Sequence, residues 1–204
     1  IRRLNSTGKN SQATELESFY ERLRASTIVW VIQPEPKGFG HAVLQAESMI
    51  GAQPFIVHAG DTYIVSKTDN ILKRLANEGA RQSADAILTV KEVPDPRQFG
   101  VAEVRKNKKG ILTVKSVIEK PAKPAGNLAI MPLYIFKPTI FEVLKATQPD
   151  RGGEIQLTDA IQKLIDAGRT VQAIELRDDD VWLDVGTPES YWKALRRSRQ
   201  LLRS

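Results

Sequence analysis

Apolar positions along the chain alternate between two rhythms. Thr27-Ile-Val-Trp-Val-Ile32 is a continuous β-branched run that predicts a strand, and a Pro/Gly loop leads from it to Ala42, Val43, Ala46, Met49 and Ile50 at helical spacing. Gly51 predicts the helix stop, Phe55–His58 the next strand, and Asp69 to Ala76 a helix ending at Gly79. Ala84 to Val90 returns as a strand. This alternation predicts an α/β fold with a mostly parallel mixed sheet and helices on both faces. From Phe99 the rhythm changes: Val101 to Arg105 and Ile111 to Glu119 flank a basic Asn/Gly turn as a hairpin insertion, and Leu128 to Phe136 is a further strand. Helices follow at Thr139 to Ala146 and Thr158 to Ala167, the second stopped by Gly168, and Val171 to Leu176 is expected to close the sheet. The last helix carries a start signal, with Thr187 as N-cap, Pro188 first in the helix and Glu189 facing its positive end.

With 204 residues, 41% of them apolar, the chain can form one domain with a real core, expected over residues 1–204. It has no cysteine and only two histidines, His41 and His58, so disulfides, thiolate sites and histidine zinc sites are excluded and any metal would be held by oxygen. No run approaches the ~20 apolar residues of a spanning helix, and the sequence after Ile1-Arg-Arg-Leu is polar, so no membrane partner and a cytoplasmic location are expected. The net charge of +6 raises the question of nucleic acid, but its distribution argues against that partner. The cations gather at Arg105-Lys-Asn-Lys-Lys109 and from Lys193 to Arg203, without aromatics interleaved for base stacking. The charge instead suits solubility and attraction of an anionic substrate.

Two acids stand where α/β enzymes place site residues. Asp61 follows Phe55-Ile-Val-His-Ala-Gly, and Asp184 ends Trp182-Leu-Asp; a carboxylate beyond a buried strand faces the crevice of an open sheet. The structural alternative is a turn opener at Asp61 and a helix cap at Asp184. In Gln33-Pro-Glu-Pro-Lys-Gly-Phe-Gly40 the glycines either free the backbone to approach a ligand or simply make a turn. Glu119-Lys120-Pro121 pairs opposite charges at a strand end, either a phosphate-binding lysine or an exposed ion pair of little consequence. Gly152-Gly-Glu-Ile-Gln-Leu-Thr-Asp159 is either a glycine turn with Thr158 or Asp159 capping a helix, or a cluster of polar groups suited to recognising hydroxyls.

Taken in order, these motifs, with Phe99-Gly100-Val101, closely resemble the sugar-1-phosphate nucleotidylyltransferases, the glucose-1-phosphate uridylyl- and thymidylyltransferase group, from about Gln33 to Tyr191. The resemblance implies a Rossmann-like sheet and a reaction in which a nucleoside triphosphate and a sugar 1-phosphate give a nucleotide-sugar and pyrophosphate, with Mg2+. It makes Gln33 and Gly38 contacts to the base, and Asp61 and Asp184 the magnesium ligands. Gly100, Glu119 and the backbone near Ala129 would hold the sugar, Lys120 would meet its phosphate, and Trp182 would shape the pocket wall. Asp61, Asp184 and Lys120 would thus be the catalytic set.

The family's opening strand, glycine-rich phosphate loop and following Pro-Lys motif have no counterpart: Asn5-Ser-Thr-Gly-Lys9 has a single Gly and no preceding apolar strand. About 60 residues, two βα units of ~30 each, are therefore expected to be missing, leaving the chain inactive alone and with apolar surface that permits a homo-oligomer. His58-Ala59 and Met131-Pro132 also depart from the family pattern, on the side where the resemblance puts the sugar. The Gln-Leu-Thr-Asp turn and Gly40-His-Ala-Val lean toward the uridylyl branch, so UTP with glucose 1-phosphate is the leading expectation. The alternatives are dTTP as donor and a non-catalytic sugar-phosphate or nucleotide-binding module.

Overall fold

A computed structural model describes residues 6–66, 70–81 and 83–201. The chain divides into two compact units, one ending at Ile32 and one beginning at Gln33. The first holds helix α1 (Asn10–Arg24), whose last turn carries Arg22 and Arg24 toward the negative helix end. Thr27–Ile32 is not a strand. It belongs to neither sheet, and Ile28, Val29, Trp30, Val31 and Ile32 are all exposed, Trp30 by 90%. β-Branched residues stabilise a strand by packing on neighbours, and this segment has no partner strand among the described residues.

The second unit contains, in chain order, α2 (Phe39–Gln45), α3 (Glu47–Ile50), β1 (Phe55–His58), β2 (Thr62–Ser66), α4 (Ile71–Arg81), β3 (Ala86–Glu92), β4 (Gly100–Lys106), β5 (Leu112–Glu119), β6 (Leu128–Phe136), α5 (Thr139–Ala146), α6 (Leu157–Asp166), β7 (Val171–Glu175), β8 (Asp180–Asp184) and α7 (Pro188–Leu201). Six strands form a mixed sheet in the order β1-β6-β3-β7-β5-β4, and β2 pairs with β8 in a separate ribbon. The α/β class holds. Among the described strands β3–β7 is the parallel pair, and the other ladders are antiparallel. The β4–β5 hairpin continues the main sheet through β5–β7 and β4–β6, and β7 lies inside the sheet instead of closing it.

Alternation along the central strands explains the two cores. Ala86, Leu88 and Val90 of β3, with Ile130, Tyr134 and Phe136 of β6, pack on one face against Val43, Ile140, Phe141, Leu144, Leu157 and Ile161 of α2, α5 and α6. Ile87, Met131, Leu133 and Ile135 project to the other face, where Ile71 and Leu75 of α4 and Trp182 of β8 cover them. The expected stop at Gly79 is an interior helical position: a Cβ there would stand 2.6 Å from Ile135 Cδ1, so the glycine lets α4 approach β6. The expected start at Asp69 lies outside the described residues; Asn70 Oδ1 accepts the Leu72 N–H at 2.9 Å as a cap. At the other end of the chain Thr187 Oγ1 accepts the Ser190 N–H at 3.1 Å, as the start signal predicts.

Candidate active site

The ribbon brings the two acids together. Thr62 pairs with Asp184, so Asp61, just before β2, and Asp184, the last residue of β8, lie at the same end. The Val185 N–H donates to Asp61 O at 2.9 Å and closes that end. Gly186 lies between the two carboxylates: a Cβ there would be 3.2 Å from Asp61 Oδ2 and 3.3 Å from Asp184 Oδ1. Asp184 Oδ1 is oriented by the Gly186 N–H at 2.7 Å and the Ser190 hydroxyl at 3.3 Å. Among the described residues no cluster of three or more acids and histidines forms. Two converging carboxylates suit Mg2+, which takes one or two carboxylates and completes its shell with water and phosphate oxygens.

These acids line one end of a cavity of about 510 Å3, large enough for a small polar ligand. Glu119, Lys120, Gly100, Thr158 and Trp182 line it too. Glu119 ends β5 opposite Gly100 in the ladder, and Glu119 Oε2 accepts the Thr158 hydroxyl at 2.7 Å. Gly100 has no room for a side chain, since a Cβ would be 3.0 Å from Thr158 Oγ1 and 3.2 Å from Glu119 Oε2. Lys120 follows with φ 41°, a left-handed conformation that costs a non-glycine residue about 1–3 kcal/mol. Its N–H donates to Phe99 O at 3.0 Å, while its ammonium, 3.7 Å from Glu119 Oε1, stays more than half exposed. Trp182 packs edge-on to Phe99 with ring centroids 5.4 Å apart, and its indole N–H has no hydrogen-bond partner among the described residues.

The remaining expected residues lie differently. Ala129 is fully buried in β6, and its neighbour Ile130 faces the cavity. Gln33 and Gly38 do not line it. The Gln33 amide donates to Gly38 O at 3.1 Å and meets His41 Nδ1 at 3.0 Å. The glycines of this loop approach protein backbone: a Cβ would stand 2.8 Å from Glu154 Cβ at Gly38 and 2.6 Å from Ile155 O at Gly40. Thr158 and Asp159 do not cap α6, which has Gln156 at its N-cap; Thr158 lies inside the helix and turns to Glu119.

Sequence reasoning missed Phe39 and Tyr134, which line the cavity, and gave Phe99 no role of its own; Pro132, expected on the sugar side, lines the cavity too. Tyr134 is spoken for by no motif; it stacks on Phe136, and burial, then the nearby Glu119 charge, pushes its hydroxyl pKa up. Pro132 carries a signal of its own, a proline inside a two-sided strand. The β3–β6 register shifts between Leu88 and Thr89, leaving Pro132 in the irregularity where its missing N–H is not needed. Its carbonyl accepts the Ala59 N–H at 3.0 Å beside Asp61.

Comparison with known proteins matches residues 6–200 to the nucleotidyl transferase family. The chain belongs to that family. This nucleotidyl transferase chain is 36% identical over 159 residues to the glucose-1-phosphate thymidylyltransferase of Streptomyces griseus, covering 78% of the chain and 42% of that protein. It is 39% identical over 153 residues to the UTP–glucose-1-phosphate uridylyltransferase of Bacillus subtilis, covering 73% of the chain and 52% of that protein. The chain thus spans about half the length of the curated relatives it matches. Among solved structures, a UDP-glucose pyrophosphorylase complexed with UDP-glucose superposes with TM-score 0.85 at 28% identity, over 93% of this chain and 73% of that one. A UTP-bound enzyme of the same kind from Acinetobacter baumannii superposes with TM-score 0.76 at 29% identity, over 97% and 70%. The nucleotidyl transferase fold expected from the ordered motifs is therefore present.

Proposed function

We propose that the full-length protein transfers a uridylyl group from UTP to glucose 1-phosphate, giving UDP-glucose and pyrophosphate. The observation that carries this reading is the cavity itself, lined by the converging Asp61 and Asp184, the Gly100–Glu119–Thr158 cluster and the exposed Lys120. A phosphate oxygen of the sugar 1-phosphate attacks the α-phosphorus in line; that P–O bond forms as the bond to the bridging oxygen of the β-phosphate breaks, and pyrophosphate leaves. Such a reaction needs alignment and charge neutralisation more than a covalent nucleophile. Glu119, fixed by Thr158, accepts sugar hydroxyls, and Lys120 carries a point charge to the sugar phosphate. Gln33 and Gly38 form the loop that reads the base. Asp61 and Asp184 would hold Mg2+, which would supply charge neutralisation on the phosphate oxygens.

Thymidylyl transfer is the second reading, favoured by the similar identity to thymidylyltransferases. Pyrophosphate release by the full-length protein with glucose 1-phosphate and each of UTP and dTTP decides between them. A higher kcat/KM with UTP is expected; preference for dTTP selects the second reading, and release with neither overturns both.

A further inference from the structure

The ribbon that carries Asp61 and Asp184 is tied to the body at its opposite end by a buried charge. Asp180 begins β8, pairs with Ser66 and is 1% exposed. Its Oδ2 accepts from the Arg74 guanidinium of α4 and from the Arg177 N–H at 2.8 Å, and the Ser66 hydroxyl donates to the same carboxylate. Its backbone carbonyl accepts from Lys91 Nζ of β3, in the main sheet, at 2.9 Å. Asp180 Oδ1 has no hydrogen-bond partner among the described residues. Burying a carboxylate whose oxygens are only partly satisfied is unfavourable, and an apolar residue of similar size would often serve stability as well or better. The arrangement therefore leaves room for a role beside stability.

A two-stranded ribbon is marginal alone, and among the described residues β2 and β8 pair only with each other. At ~3.3 Å per residue, Asp180 and Asp184 lie about 13 Å apart along one strand. We propose that Asp180, clamped by Arg74 and Lys91, is a positioning residue that sets where the Asp61–Asp184 end of the ribbon sits relative to the main sheet. The inference rests on the reading of those two acids as metal ligands. Glu119 is held by the main sheet and Thr158 by α6, so loosening the clamp displaces the metal ligands and leaves the Glu119–Thr158 contact in place.

The test is Mn2+ binding to the full-length protein with UTP, read from the free-ion electron paramagnetic resonance signal, beside the KM for glucose 1-phosphate and near-ultraviolet circular dichroism. In folded Asp180→Asn, Mn2+ binding is expected to weaken about tenfold, the low end for groups that orient metal ligands, with the KM for glucose 1-phosphate unchanged. Arg74→Lys, which keeps the charge but loses the planar fork, decides the matter if Asp180→Asn does not fold; it too should weaken Mn2+ binding. Parental Mn2+ binding in the folded variant overturns the positioning role, provided Asp184→Ala abolishes binding. Parental binding in Asp184→Ala overturns the metal-ligand reading and the positioning role with it.

Discussion

Thr158 and Glu119, 39 residues apart, meet through a 2.7 Å hydrogen bond against the backbone of Gly100. This contact ties α6 to the end of β5 and fixes the carboxylate on the cavity wall. Gly100→Ala would push its Cβ to 3.0 Å from Thr158 Oγ1 and 3.2 Å from Glu119 Oε2. Steady-state kinetics of the full-length protein should show a fall of about tenfold or more in kcat/KM for the sugar 1-phosphate, since misplacing a binding group by a fraction of an ångström is costly. The KM for the triphosphate should change little.

Gly40 and Gly60 make a contrasting pair. At Gly40 a Cβ would stand 2.6 Å from Ile155 O and 3.0 Å from Leu144 Cδ2, whereas at Gly60 nothing lies within 4 Å. Denaturant unfolding should show Gly40→Ala destabilised by about 1–3 kcal/mol through overpacking. Gly60→Ala should stay within about 0.5 kcal/mol of the parent.

Thr187→Ala removes the acceptor for the Ser190 N–H at the start of α7. A stability loss of about 1 kcal/mol is expected, the usual cost of deleting an N-cap, and thermal unfolding measures it. Ser190 also donates to Asp184, so a higher Mg2+ concentration for half-maximal turnover should accompany the loss.

The buried Asp180 predicts an acid limb. Burial alone would raise its pKa, but the hydrogen bonds from Arg74, Arg177 and Ser66 and the Arg74 charge outweigh it, so the folded value lies below the ordinary 3.8. A depressed folded pKa stabilises the protein fully above the unfolded value, and that contribution is lost as pH falls below it toward the folded value. Unfolding measured from pH 5 downward should therefore show less pH dependence below about pH 3.9 in Asp180→Asn than in the parent.

Much of this was legible in the sequence where local pattern and tertiary environment agree. The strands Phe55–His58 and Leu128–Phe136 and the helix Thr139–Ala146 follow from apolar runs that pack as their periodicity predicts. Asp61 and Asp184 stood out because each ends a short apolar run, and the fold brings the two together in the cavity lining. The failures have physical causes. Thr27–Ile32 has strand propensity but no partner strand among the described residues, and Gly79 marks close helix–sheet packing instead of a helix end. The β2–β8 pairing joins segments more than a hundred residues apart, and no local rule reveals it. For the same reason the Arg74–Asp180 pair and the place of Tyr134 on the cavity wall emerge only in three dimensions.

The central claim is that the Asp61–Asp184 end of the cavity carries nucleotidyl transfer to a sugar 1-phosphate. Phosphorus-31 magnetic resonance of the full-length protein with UTP, glucose 1-phosphate and Mg2+ tests it most directly. The account predicts pyrophosphate and the diphosphate signals of UDP-glucose growing together with the parent, and neither signal with folded Asp61→Ala or Asp184→Ala. Product formation at the parental rate by either variant, or none by the parent, would contradict it.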